Sequence, residues 1–521
     1  FVPAYTGLRL ADARSTCGVR ARASRTRIAM IAIKLLRRFA GVLTLHCLLT
    51  ACHDAGHSAP KNAAGNGAAD SGGSALAGRS SVERPDAGSY TNEEAGASAQ
   101  AGKGGSTAAD GGSVSAGGTG GRASAGSGDS PSLPGAGTGG TAVDASAALF
   151  DQDSLPRFDI TLSEEAITAL TNNPATYVHG ALKYGDTTLN DVAVRIKGES
   201  SLRTITQKAA FKIKLDEFVS GQNLLGLRRI TLNNLSQDPT MLAERLSYHM
   251  YAAAKLPTPR CNHALVYVNG DFYGVYANIE SEDKVFLRRY FSNASGNLYE
   301  DAEVDLIPGN EDKLQLQTNE AANDRSDLRA LTAAIAAASS DNFLTDMNAT
   351  LDTAHFLKFT AVEGAIDQWD MYGYTYFDPN NFRLYHDPAS GKFTFLPWGL
   401  DLALKPFLDG SVTYIPMFKV PVYENKPGNH EAGGVIFKRC LESTSCKSAY
   451  AQVLESVADL YEAEKLDELA AKYYTQIKAK VYEDWRKEYS NQDFETAYQN
   501  LLTHIRGRPA AIRSDLTAAG F

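Results

Sequence analysis

Tryptophan occurs three times, cysteine six times and histidine ten times in 521 residues. The cysteines lack the paired spacing of a zinc site, the histidines are scattered and no H-E-x-x-H occurs, which argues against a metallohydrolase. No Ser-His-Asp arrangement can be read from the order of residues either. Basic charge is also short: 51 Lys and Arg stand against 60 Asp and Glu, a formal net charge of −9. That balance argues against nucleic acid as a partner. There is no internal repeat. The apolar run from Phe39 to Ala51 is too short to span a bilayer.

What is present changes character along the chain. It begins with Phe1, and residues 1–29 are Arg- and Ala-rich without usable periodicity, so they are expected to be an unstructured over-extended start, with Met30 the better biological one. Residues 30–52 carry Lys34, Arg37 and Arg38, then the apolar run, then Leu49-Thr50-Ala51-Cys52. This pattern reads as a secretory signal whose end resembles the bacterial lipobox, which implies lipidation of Cys52, export and a lipid anchor at the cell envelope or surface. Residues 53–150 are Gly, Ala and Ser with scattered charge. Such a tract cannot bury enough apolar surface to offset its chain entropy and reads as a disordered tether spanning roughly 55 Å end to end. Gly135, Gly137 and Gly140 match G-x-G-x-x-G, but no strand precedes them and no helix follows, so they are not a nucleotide motif.

Residues 151–411 and 412–521 read as the core and the helical end of one domain. Val192, Val194 and Ile196 alternate with Ala193, Arg195 and Lys197; Phe211, Ile213 and Leu215 alternate with Lys212, Lys214 and Asp216. These are half-buried strands with basic residues on one face, and periodicity alone makes that face a solvated one. Asp238-Pro239 is a helix start, with Leu242, Leu246 and Met250 at helical spacing behind it. Glu244 on that helix is either an ion-pair partner for a lysine or simply an exposed acid. Asn269-Gly270 is a two-residue hairpin turn. Helices are predicted over His355 to Gln368 and over 435–443, 446–463, 465–488 and 492–519.

The stretch WDMYGYTYFDPNNFRLYHDPASGKFTFLPWGLD, Trp369 to Asp401, contains a predicted hairpin turning at Asp387 to Gly391. Antiparallel pairing brings the start of its first strand beside the end of its second. Asn381 is therefore expected close to Pro397-Trp398 and the loop bearing Asp401, with Asp370 just upstream. An Asp, an Asn and a second Asp around one hairpin can orient a hydroxyl and offer hard oxygens to Mg²⁺. They are also ordinary turn residues.

NFRLYHDP followed by GKFTFLPWGLD resembles the central motif of the CotH kinase family, the spore coat protein H-like atypical kinases. RIKGESSL with KAAFKIKLD, and PTPRCNHALVYVNGDFYGVYANIE with GNLYED, resemble its earlier segments. The resemblance implies an α+β, atypical protein-kinase-like two-lobed fold, with a strand-rich N-terminal lobe and a helical C-terminal lobe. It implies transfer of the ATP γ-phosphoryl to Ser, Thr or Tyr hydroxyls of secreted or envelope proteins, with Mg²⁺ or Mn²⁺. Asp370 then orients the acceptor hydroxyl, with Asp367 or Asp378 as alternatives, and Asn381 and Asp401 hold the metal. Arg195, Lys208, Lys212 and Lys214 become candidates for the phosphates, beside a Gly198-Glu199-Ser200-Ser201 loop whose N–H groups are suited to cradle them. Glu280 becomes a candidate to line the nucleotide cleft. Gly399 departs from the family, standing where many members place the first acid of Trp-Asp-x-Asp, so the metal at that corner rests on Asp401 alone. The alternative is a catalytically inactive kinase-like surface module that binds an envelope, spore-coat or matrix partner. Cys440 and Cys446 are close in sequence, and in an exported protein they are expected to form a disulfide, leaving Cys261 a core thiol.

Overall fold

Alternation of apolar and polar residues along the first strands is resolved by curling them into a barrel. The computed structural model describes residues 144–521, apart from 376–377, 407–409, 411, 420–421, 424–429 and 432. The signal segment, Cys52 and nearly all of the expected tether thus lie outside the described residues. Packed structure begins with a 3-10 turn, Ala145–Phe150, whose Leu149 and Phe150 are buried. The expected linker therefore ends earlier than 150, because these two side chains belong to the barrel core.

The barrel strands are β1 (Arg157–Leu162), β2 (Val178–Tyr184), β3 (Thr187–Lys197), β4 (Ala210–Lys214), β5 (Arg229–Asn233), β6 (Cys261–Val268) and β7 (Asp271–Ile279). They run in the order β1-β2-β3-β4-β5-β7-β6, and β6 closes the ring by pairing parallel with β1. Val192, Val194, Ile196, Phe211, Ile213, Ile230 and Leu232 fill the interior. Side-chain alternation therefore turns Arg195, Lys197, Lys212 and Asn233 outward. Asn269 and Gly270 both have positive φ (51° and 87°), as the tight β6–β7 turn requires.

Helix α1 (Glu164–Asn172) follows β1, and α2 (Ala243–Ala253) lies between β5 and β6. The latter starts later than predicted. Asp238 folds into a local turn through Thr240, yet its Oδ2 still accepts from the Ala243 N–H at 2.8 Å and so caps the first turn. After α3 (Lys284–Tyr290) comes a second sheet of β8 (Leu298–Glu300), β9 (Gln315–Leu316), β10 (Phe382–Asp387) and β11 (Lys392–Pro397), in the order β11-β10-β8-β9. Helices α4 (Ser326–Ala337), α5 (Phe343–Met347) and α6 (Thr353–Ala365) separate its strands, and β12 (Val422–Tyr423) pairs with β13 (His430–Glu431) beyond it.

The end of the chain is helical: α7 (Val435–Glu442), α8 (Thr444–Ala463), α9 (Leu466–Glu483) and α10 (Asn491–Ala518). Ser490 opens α10 with a capping box completed by Asp493, and Phe494, Tyr498, Leu501, Ile505 and Ile512 bury one face. This face and the hairpin share one apolar core with α2 and α6. A disulfide joins Cys440 to Cys446 across the α7–α8 corner, and Cys261 is a free buried thiol. The architecture is the predicted α+β one, strand-rich first and helical last. None of the described helices is long and apolar enough to cross a membrane.

Candidate active site

The open end of the β10–β11 hairpin forms one wall of the site. Phe382 pairs with Pro397, and the Trp398 N–H donates to the Asn381 carbonyl at 3.2 Å. Asn381 itself has φ +52°, and its Nδ2 donates to Asp370 twice, to the backbone O at 2.6 Å and to Oδ2 at 3.0 Å. The carboxamide oxygen then faces Gly399, where a Cβ would lie 2.2 Å from it. The absence of a side chain at Gly399 is therefore what makes room for Asn381, and the φ of +60° there favours glycine too. Gln368 Nε2 holds the Gly399 carbonyl at 2.8 Å, two residues before Asp401.

The barrel supplies the opposite wall. Lys197, the last residue of β3, donates through Nζ to Asn233 Oδ1. Asn233 Nδ2 donates in turn to both Glu244 oxygens, at 2.9 and 3.1 Å. One carboxamide thus links the lysine to the acid of α2. Lys197 Nζ also stands 5.5 Å from the centre of the Trp398 ring, which brings the barrel face against the hairpin.

Charge ties the two walls together. Burial pushes the Asp370 carboxyl up to about 7, the nearby Asp401 adds to this, and hydrogen bonds from Asn380 and Asn381 oppose it. Burial raises Asp401 as well, against the pull of Lys405 and Lys197. Glu244 rises to about 8 through burial and then Asp401, with Lys197 opposing. Burial lowers the Lys197 amine, which Glu244 and Asp401 partly offset, and lowers Lys405, which Asp238, Asp401 and Asp370 partly offset. Carboxylates crowded in a poorly solvated place disfavour one another's charge.

The candidate donors are all oxygen, Asn381 Oδ1 and Asp401, with the Asp370 carboxylate bonded to Asn381 Nδ2. Hard oxygen donors beside mutually repelling carboxylates fit Mg²⁺ or Mn²⁺. Among the described residues no group of three or more His, Cys, Asp or Glu is placed so that it could hold a metal ion.

Other predicted residues go elsewhere. Lys212 is on the cleft face one strand from Lys197, and its amine is pushed down to about 7 by burial, with Glu300 opposing and Arg383, Arg195 and Arg229 reinforcing. Arg195 lies over the Tyr177 ring at 5.4 Å, directly across from Lys212. Lys214 turns to Glu217 at 2.8 Å, at the far end of β4. Lys208 forms a buried ion pair with Asp484 at 2.6 Å, so it serves packing and not the cluster. Glu280 is occupied by Arg260, at 2.8 Å, and by Arg289. The acid that meets the hairpin is Glu282, beside Arg383 at 3.0 Å. Asp367 accepts from His504, Arg508 and the Ile415 N–H, which saturates it. The Asp378 side of the loop is exposed.

Lys197, Asn233 and Lys405 were not singled out by the sequence pattern. Lys197 did carry a signal: it shares the strand face of Arg195 and immediately precedes Gly198. Lys405 had none, since only the turn after Asp401 carries it back to the Gln237 carbonyl, at 3.1 Å.

The chain is similar to known proteins along most of this region. It is 20% identical over 312 residues to the inner spore coat protein H of Bacillus subtilis (strain 168), covering 58% of this chain and 82% of that protein. It is 28% identical over 88 residues to the inner spore coat protein H-like protein of the same strain, covering 17% of this chain and 27% of that one. The solved structure of the Helicobacter pylori proinflammatory kinase CtkA aligns with 60% of this chain and 94% of its own at 10% identity, with a TM-score of 0.25, a likeness too distant to bear on the fold. Residues 194–512 match the family described as CotH kinase protein, which is more than half of the 521 residues and spans both walls of the cleft: this chain belongs to the CotH kinase family.

Proposed function

We propose that this kinase-family protein transfers the γ-phosphoryl of ATP to a Ser, Thr or Tyr hydroxyl of a protein outside the cytoplasm, where a lipid at Cys52 tethers it to the envelope. The observation that carries the reading is the hairpin's Asn381, bonded to Asp370 and seated against Gly399, beside a barrel face whose Lys197 is joined by Asn233 to Glu244 and stands 5.5 Å from the Trp398 ring. Lys197 replaces Lys212 as the lysine that steadies the phosphates, in the role that a strand lysine paired with a helix glutamate plays in protein kinases. Asn233 links the Lys197 amine to Glu244.

Asp370 accepts the proton of the acceptor hydroxyl as the oxygen attacks the γ-phosphorus and the bond to the β–γ bridging oxygen breaks, leaving ADP. Asn381 holds the Asp370 carboxylate in place through its Nδ2. Asn381 Oδ1 and Asp401 would hold Mg²⁺, which when bound would neutralise charge on the β- and γ-phosphates.

Titration of the purified full chain with ATP, with and without Mg²⁺, tests the reading, followed by radiolabelled phosphate transfer to a mixed protein acceptor. Lys197→Met and Asp401→Ala are expected to abolish transfer while the fold persists. Unchanged transfer in Asp401→Ala defeats the assignment, and absence of any Mg²⁺-dependent ATP binding favours the binding-module alternative.

A further inference from the structure

The segment Asp484 to Tyr489 leaves α9 where the sequence pattern continued the helix, and it lies against the loop that joins Lys197 to β4. Asp484 turns the chain by accepting from the Arg486 and Lys487 N–H groups, both at 3.1 Å, and reaches Lys208 with its other oxygen. It packs so tightly on β7 that a Cβ at Gly274 would sit 2.1 Å from its Oδ2, and Gly274 has φ +120°. Arg486 donates to the Thr206 carbonyl at 2.7 Å and lies 4.0 Å over the Tyr273 ring. Glu488 pairs with Arg203, whose Nη2 is 3.0 Å from Oε2. Tyr489 donates to the Ser236 carbonyl at 2.8 Å.

The loop is anchored at Ile205, which is buried in the barrel core and whose carbonyl accepts from the Tyr273 hydroxyl at 2.7 Å, while residues 198–204 before it place no buried side chain in the core. Gly198 has φ +110° and Leu202 is 42% exposed. On the barrel side the loop is held by Asn234, which donates to the Ser201 and Lys208 carbonyls at 2.9 and 2.8 Å and neighbours the Asn233 that holds Lys197. The 198–204 part, with no buried apolar side chain, opens at low free energy unless it is pinned. The pin also reaches the cluster: burial and then Asp238, Glu488 and Asp401 raise the Tyr489 phenol to about 12, against the opposing charge of Arg203.

We propose that residues 484–489 are a clasp by which the helical end of the chain sets the 198–207 loop against the nucleotide phosphates, with Arg203 and Glu488 as positioning residues. The proposal rests on the reading of the cleft as an ATP site. A loop held in its binding conformation before the ligand arrives lowers the ordering cost of binding. The clasp therefore acts on ATP affinity and leaves the chemical step alone.

Arg203 and Glu488 are partly exposed, at 18% and 37%, so substituting them spares the core. In the full chain, Glu488→Arg and Arg203→Glu are each expected to raise the KM for MgATP roughly threefold with kcat unchanged. Both are expected to speed amide hydrogen exchange in residues 198–207 without nucleotide, and the double swap Arg203→Glu/Glu488→Arg to restore both readings. Wild-type KM and wild-type exchange in the single variants overturn the clasp, as does a raised KM that the swap does not rescue. If the wild-type chain binds no MgATP the cleft reading falls and the clasp's role with it; if it binds and the single variants bind equally well, the clasp alone falls.

Discussion

Asp367 and Asp370 are three residues apart and live in opposite electrostatic worlds. Asp367 lies in the helical core, where Arg508 at 3.1 Å, His504 at 2.9 Å and the Ile415 N–H at 2.7 Å take up its oxygens. Asp370 lies at the open end of the hairpin, where burial, and then the charge of another carboxylate, Asp401, drive its pKa up to about 7. Arg508 also donates to the Gly364 and Ile415 carbonyls, so in this first cluster the Asp367 oxygens are taken up by protein groups, although Arg508 Nη1 has no hydrogen-bond partner among the described residues. In the second, Asp401 disfavours the charge of Asp370 and of Glu244, and Lys197 and Lys405 offset the carboxylates only in part. A buried ionic group that is fully paired is structural, and one left in conflict is a candidate for binding.

That contrast can be broken. Asp367→Ala leaves Arg508, which is fully buried, without its carboxylate, and should cost about 3–5 kcal/mol of stability by urea unfolding. A loss as small as that of a surface substitution would mean that the helical cluster is not what it looks like. Asp401→Asn should do the reverse: phosphate transfer falls about 10²–10³-fold, while the unfolding midpoint holds or rises because a repelling charge has gone. A destabilised Asp401→Asn protein would place that residue with Asp367.

Gly399→Asp tests the hairpin corner. It restores the acid that the family motif would put there, but its Cβ would meet Asn381 Oδ1 at 2.2 Å in a backbone with φ +60°. It should cost about 1–3 kcal/mol and weaken transfer instead of improving it. A gain in transfer at unchanged stability would show that Asn381 can move aside.

His263 sharpens the paired side of the comparison by titration. Its Nδ1 accepts from Arg245 at 2.8 Å and its Nε2 donates to the Met241 carbonyl at 2.7 Å, so the neutral ring is satisfied and a proton would face a guanidinium. Burial, with Arg245 reinforcing, depresses its pKa to about 3, from an ordinary value of 6.5. A folded pKa below the unfolded one contributes stability that is whole above about pH 6.5 and is lost toward pH 3, at up to about 1.4 kcal/mol per pH unit. Unfolding midpoints measured between pH 7 and 4 should show this acid slope, and His263→Gln should flatten it. An equal slope in both proteins would remove His263 from the account.

The amino-acid sequence by itself determined the strand faces, the hairpin from Phe382 to Pro397, the disulfide partners Cys440 and Cys446, and a helical end whose boundaries fall within a few residues of those predicted. All of these rest on local periodicity, turn chemistry or nearness along the chain. It also placed Asn381 beside Pro397-Trp398, because antiparallel pairing leaves no other arrangement. Tertiary structure decided which basic residue reaches the acids. Arg195, Lys197, Lys212 and Lys214 share one outward face, and only the docking of the hairpin against the barrel puts Lys197 at Trp398, while Lys214 turns to Glu217 three residues along its own chain. It likewise saturated Asp367 with Arg508 from the last helix, took up Glu280 with Arg260 and Arg289 from the neighbouring elements, and broke the predicted 465–488 helix at Glu483 so that Asp484 meets Lys208. Period and spacing specify which way a side chain points from its own strand or helix. Which charges end up sharing a space with little water depends on contacts between segments hundreds of residues apart, and no local pattern encodes those.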